Sequence, residues 1–88
     1  MGLVFPNQTC NVDEDTGIIR FSGYDGLMEI RFSMTFETLD HLMKAHDEER
    51  QPHRQAFENL RSRIQNAAMR AYSRTRKSFY RLGLDSNF

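Results

Sequence analysis

The sequence predicts an α+β fold: a three-stranded antiparallel sheet in the order ββααβ, with two helices packed on one face and a possible short N-terminal edge strand. Three features predict it. Two runs of alternating polarity flank Asp25-Gly26 between Gly17 and Thr35, an apolar stripe at helical spacing runs from Phe57 to Tyr72, and a last alternating run, Lys77 to Leu82, stops at Gly83. Residues 1–88 are expected to form a single small domain.

Taken in order, Leu3-Val4-Phe5 is a short apolar run halted by Pro6, either an edge strand or, as favoured here, a terminus packed on the core. Residues 7–16, NQTCNVDEDT, are polar and rich in turn formers, so a loop is expected. Its Asp13, Glu14 and Asp15 lack the ligand spacing and the glycine of a calcium loop, which makes a solvated acidic patch the better reading. At Asp25-Gly26 a type I′ turn is expected, since both central residues of that turn take positive φ. Folding there sets Gly23 opposite Met28, Phe21 opposite Ile30 and Ile19 opposite Phe32 on one apolar face. The other face carries Ile18, Arg20, Ser22, Tyr24, Leu27, Glu29, Arg31 and Ser33, and a four-residue loop would leave both sets unchanged. Arg20 and Arg31 would then lie opposite each other, a like-charge pair that Glu29 relieves from a diagonal position.

Thr35 stands at an N-cap position with Glu37 in the following turn, and Phe36, Leu39, Leu42 and Met43 recur at helical spacing until Asp47-Glu48-Glu49-Arg50. Pro52 suits the first turn of a second helix, where a missing N–H removes no bond. Phe57, Leu60, Ile64, Ala67, Ala68, Ala71 and Tyr72 form its continuous stripe, expected to lie across the apolar face of the hairpin. A third strand at Lys77–Leu82 is what two strands alone need for stability in water. The closing Asp-Ser-Asn-Phe either buries Phe88 or frays.

The N-terminal VFP (residues 4–6), DEDTGIIRFSGYDGLMEIRF (13–32), IQNAAMRAYSRTRKSFYRL (64–82) and the Asp85–Phe88 ending follow one another as in a known pattern. In kind and order, over more than half the chain, they resemble the bacterial domain of unknown function 1488 family. The resemblance implies a compact α+β fold of cytoplasmic bacterial proteins. It carries no established activity and no catalytic residues to this sequence.

Composition narrows the function without naming it. Formal net charge is zero, but residues 1–53 hold 4 basic and 10 acidic residues against 8 and 2 in residues 54–88. The one cysteine, Cys10, closes no intrachain disulfide and has no CxxC partner. No apolar run approaches the roughly 20 residues of a membrane span, and MGLVFPNQTC lacks the basic and apolar regions of a secretory signal and a convincing myristoylation pattern, so the expected compartment is the cytoplasm. The chain has little room for an enclosed pocket, and a shallow surface site is expected.

Arg63, Arg70 and Arg74 project to one flank of the second helix with Lys77 nearby, a candidate contact for nucleic acid or a partner, and Tyr72, Phe79 and Tyr80 would offer ring faces. The same arginines suit a solvated helix flank paired with the acidic half of the chain, and zero net charge argues against a nucleic-acid footprint. His41, His46 and His53 are spaced by five and seven, not by the four of a zinc helix motif, so surface histidines are expected. Turn chemistry accounts for Asp25 and Gly26. No catalytic, cofactor-binding or metal-binding residues are predicted. The expected function is that of a non-catalytic domain binding another macromolecule, with protein favoured. Nucleic-acid binding through Arg63, Arg70, Arg74 and Lys77 is the alternative and an unrecognised enzyme the third reading. A monomer is expected, with an isologous dimer of acidic against basic halves as the alternative.

Overall fold

The computed structural model describes residues 2–6, 10–84, 86 and 88. Among them it contains strands β1 (Asn11–Asp13), β2 (Ile18–Asp25) and β3 (Met28–Thr35), helices α1 (Phe36–Ala45), α2 (His53–Asn59) and α3 (Arg61–Thr75), and strand β4 (Phe79–Leu82). The sheet order is β1-β2-β3-β4, with β1 and β3 antiparallel to β2 and β4 parallel to β3. The α+β class stands. The antiparallel three-stranded sheet with two helices is corrected to a mixed four-stranded sheet with three helices.

The hairpin forms where its alternation requires, but two residues out of the expected register. Phe21 faces Phe32, Gly23 faces Ile30, Ile19 faces Met34 and Asp25 faces Met28. An even shift keeps each side chain on its side, so Ile19, Phe21, Ile30 and Phe32 are buried as expected and Met34 with them, whereas Met28, expected on the same face, is 57% exposed beside the turn, beyond the cover of the core. The turn consists of Gly26 and Leu27. Gly26 has φ +64° while Leu27 stays at negative φ, the φ pattern of a type II′ turn with glycine first rather than of the expected I′ turn. Asp25 therefore remains in the strand. Arg20 stands opposite Ser33, and Arg31 opposite Ser22, which removes the expected clash between the two arginines.

The expected loop before the hairpin contains β1. Val12 and Cys10 alternate inward and pack against the core from this edge. The acidic patch that follows is a turn: the Asp13 carboxylate accepts the N–H groups of Asp15 and Thr16 at 3.1 and 3.3 Å, and Gly17 closes it at φ +68°. Leu3 is buried, and Val4 exchanges both backbone hydrogen bonds with Tyr24, so the first segment packs on the core with a single bridge to the sheet. Gly23 permits this. A Cβ there would come within 2.9 Å of both the Leu3 and Phe5 side chains.

Thr35 caps α1 as expected, its hydroxyl accepting the Thr38 N–H at 3.1 Å. Pro52 is the N-cap of α2. The expected single second helix is broken at Leu60 (φ −105°, ψ 11°), where α2 ends and α3 begins. The apolar stripe survives: Phe57, Leu60, Ile64, Ala67, Ala68 and Tyr72 are buried, and Ala71 is half-buried. Phe57 tilts against Phe21 at 5.2 Å between ring centroids, and Phe21 stacks on Phe32 at 5.2 Å, joining the helical layer to the sheet.

After α3 the chain returns to the start of β3 and re-enters the sheet there, Phe79 beside Arg31 and Leu82 beside Met34. The last strand therefore runs with β3, not against it. A helical connection supplies the length a parallel crossover needs. Lys77, expected in this strand, lies before it. Phe88 packs against the core. Asp85 and Asn87 of the closing segment lie outside the described residues.

Candidate functional site

The three helices lie against one side of the sheet, leaving the other as a surface of polar and aromatic side chains. Pairing sets Ser22, Arg31 and Phe79 in one row across it, and Asn11, Arg20, Ser33 and Arg81 in the next. Arg20 pairs with Asp13 at 3.4 Å and Arg31 with Glu29 at 3.6 Å, while Ser22 donates to Glu29 at 2.8 Å. A shallow groove of about 520 Å³ runs between Arg20, Ser22, Glu29, Arg31 and Phe79. Phe79 is 51% exposed there, on the edge strand.

The edge itself is open. The Ser78 carbonyl accepts the Arg31 N–H at 2.9 Å. By the alternation of a parallel ladder, the N–H and C=O groups of Phe79 and Arg81 then point away from β3, where no strand follows among the described residues. β4 is short and bears one arginine, two features that blunt an edge. Among the described residues no further strand covers it.

The residues singled out in the sequence separate. Arg63, Arg70 and Arg74 are exposed on α3 and, at successive intervals of seven and four residues, fall on one line of the helix. Lys77 lies beyond the helix, past its C-cap Arg76, and its N–H donates to the Tyr80 hydroxyl at 2.7 Å. Of the rings, Tyr72 is buried and Tyr80 stacks on Phe32 at 5.3 Å, which leaves Phe79 as the exposed one. Ile18 and Tyr24 are half-buried on the open side, and Leu27 is fully exposed in the turn.

His41 is exposed, and His46 is the C-cap of α1. His53 is more than a surface residue. Its ring stacks on Phe36 at 3.9 Å and its Nε2 lies 2.9 Å from Asp40, pinning α2 to α1. Among the described residues no group of three or more His, Cys, Asp and Glu is placed to hold a metal ion. Burial pushes the Cys10 thiol up, with the Arg54 charge opposing, the opposite of what activates a nucleophile.

Asp25 does more than shape a turn. Its carboxylate accepts the Tyr72 hydroxyl at 2.5 Å and lies 3.8 Å from Arg76, whose guanidinium sits over the Tyr72 ring at 5.2 Å. The three tie the hairpin tip to the end of α3. No sequence signal marks this contact, because its partners are 47 residues apart.

Fold and surface together define a small α+β domain with a helical layer on one side of a four-stranded mixed sheet and an open face on the other. The family model for a protein of unknown function, DUF1488, matches residues 3–84, and the chain belongs to that family. A crystal structure of a DUF1488-family protein of unknown function from Shewanella loihica PV-4 shares the fold, with a TM-score of 0.75 at 18% identity over 93% of this chain and 92% of that one. No curated protein matches the chain.

Proposed function

We propose that this is a non-catalytic, monomeric domain of the cytoplasm that binds another protein, which adds an extended segment to the free edge of β4. The observation that carries the reading is the unpaired outward backbone of Phe79 and Arg81 beside the exposed Phe79 ring. Strand addition draws its affinity from such a backbone row and its specificity from alternating side chains, and the Phe79 ring and the groove beside it supply contacts of the second kind. Among the described residues no helix is long and apolar enough to cross a membrane, in keeping with this setting.

The test is affinity capture from the source cell with the intact chain and with Phe79→Glu, alongside light scattering of the purified protein. A partner held by the native chain and released by Phe79→Glu is the expected result. Capture of the same proteins by both forms, or a stable dimer joined through β4, would sink the reading.

The line of Arg63, Arg70 and Arg74 supports a second reading, nucleic-acid binding, with Lys77 at its end. Arg63 and Arg74 face no carboxylate partner among the described residues. Under that reading, oligonucleotide affinity falls with salt, and neutralising Arg63 and Arg74 makes the log-log slope shallower by about one unit for each phosphate that the protein ceases to neutralise.

A further inference from the structure

At the end of the sheet where β4 finishes, a cleft of about 320 Å³ opens between β2, β3, the first turn of α1 and β4. Its polar lining is Ser33, Thr35, Thr38 and Arg81, and Ile18 and Leu82 are among its apolar walls. Three features separate it from the other grooves of this surface. Ser33 is 8% exposed, and its hydroxyl, with no hydrogen-bond partner among the described residues, is not shut off from solvent. A hydroxyl reached from the cleft in this way is free to donate to a bound acceptor. Arg81 lies beside Ser33 across the β3–β4 ladder and also has no ion pair among the described residues, whereas Arg20, Arg31 and Arg76 each have a carboxylate within 4 Å. The Thr35 and Thr38 hydroxyls, 3.0 Å apart, line the same cleft.

A guanidinium, the Ser33 hydroxyl and the one hydroxyl proton that the Thr35–Thr38 hydrogen bond leaves free suit a carboxylate, which only accepts hydrogen bonds and matches the planar fork of arginine. Ile18 and Leu82 add room for a small aliphatic group. The cleft lies at the end of the sheet toward which β4 runs, so the C-terminus of an extended segment lying parallel to β4 would arrive at that end. We infer that the cleft receives the C-terminal carboxylate and the small apolar last side chain of the partner segment that pairs with β4. This rests on the strand-addition reading and gives it a chemical address.

Nuclear magnetic resonance titration of the full chain with a short extended peptide ending in valine tests it, using the free acid and the C-terminal amide. The free acid should shift the amides of Ser33, Thr35 and Gly83. Amidation should weaken binding about tenfold, and so should Arg81→Gln, the size of effect a charge-assisted hydrogen bond carries. Arg50→Gln, at an exposed arginine in the connection between α1 and α2, should change little. Equal binding of acid and amide with shifts confined to β4 would overturn the carboxylate site and leave strand addition standing. A short branched carboxylic acid that bound the cleft as tightly as the peptide would overturn the peptide as its source. Absence of any shift at the cleft, when the same sample binds a captured protein through Phe79, would likewise overturn the site.

Discussion

Tyr72 is the residue that fastens the hairpin tip to the helical layer. Its hydroxyl donates to Asp25, and that bond is the main reason its phenol sits above the usual 10.0, with burial and the Asp25 charge adding and the Arg76 charge opposing. The folded chain thus favours the protonated phenol. Its contribution is complete below the unfolded value and is lost as pH rises through the raised folded one. Tyr72→Phe should lower the melting temperature by roughly 5 °C at neutral pH. The stability gap between the two proteins, measured in urea, should hold from about pH 7 to about pH 9 and close at higher pH. Arg76 adds a backbone effect. It takes φ +54° as the C-cap of α3, a left-handed conformation that disfavours any residue with a Cβ. Arg76→Ala and Arg76→Gly both take the guanidinium away from Tyr72 and Asp25, but only glycine relieves the backbone. The alanine form should be the less stable by about 1 kcal/mol in denaturant titrations.

Among the elements, the β2–β3 hairpin is the scaffold onto which the others dock. Its inner face meets Phe57 of α2, its end is held by Tyr72 of α3, and its β2 edge receives β1 and the segment around Val4. The last of these attachments depends on the missing side chain at Gly23. In Gly23→Ala the new methyl would meet the Leu3 and Phe5 side chains, whose ends can swing aside, so the cost should be about 1 kcal/mol. The loss should be local: the Val4 and Tyr24 amides, which bond each other's carbonyls at 2.9 and 2.7 Å, should exchange with solvent faster while the β2–β3 amides keep their protection. No proline or glycine interrupts the run at Leu60, which is itself buried at the break, with Phe57 against Phe21 before it and Ile64 and Ala68 buried along α3 after it.

For the whole molecule, the two faces of the sheet have opposite roles. The inner face and the helices share one core in which Ile19, Ile30, Leu39, Ile64 and Phe57 are almost wholly excluded from solvent. Phe57→Ala should cost about 3–5 kcal/mol, a large part of the 5–15 kcal/mol typical of a domain, and show directly as a lower urea midpoint. The outer face should tolerate change: Phe79→Glu should leave the stability within about 0.5 kcal/mol of the native protein. If it unfolded the chain instead, Phe79 would belong to the core and not to a binding edge. The acidic and basic halves of the sequence meet at Asp25 and Arg76, yet Asp13 with Arg20 and Glu29 with Arg31 pair within the sheet. The two halves thus touch at the hairpin tip, while Arg63 and Arg74 keep an exposed basic line on α3.

The α+β class, the hairpin and its two faces, the Thr35 cap, most of the core side chains and the family are legible in the linear order of residues, although Met28, expected inside, is exposed and Ser33, expected outside, is buried. Each depends on periodicity, capping chemistry or motif order, properties of residues near one another along the chain. The register, the parallel β4, the short β1, the break at Leu60 and the Asp25–Tyr72–Arg76 tie were settled only when the chain folded. The reason is physical: a shift of two residues leaves the polarity pattern intact, and strand direction is set by where the helical layer returns the chain. The open edge of β4 and the cleft at its end follow from that return. They are contacts between distant segments, on which local pattern is silent.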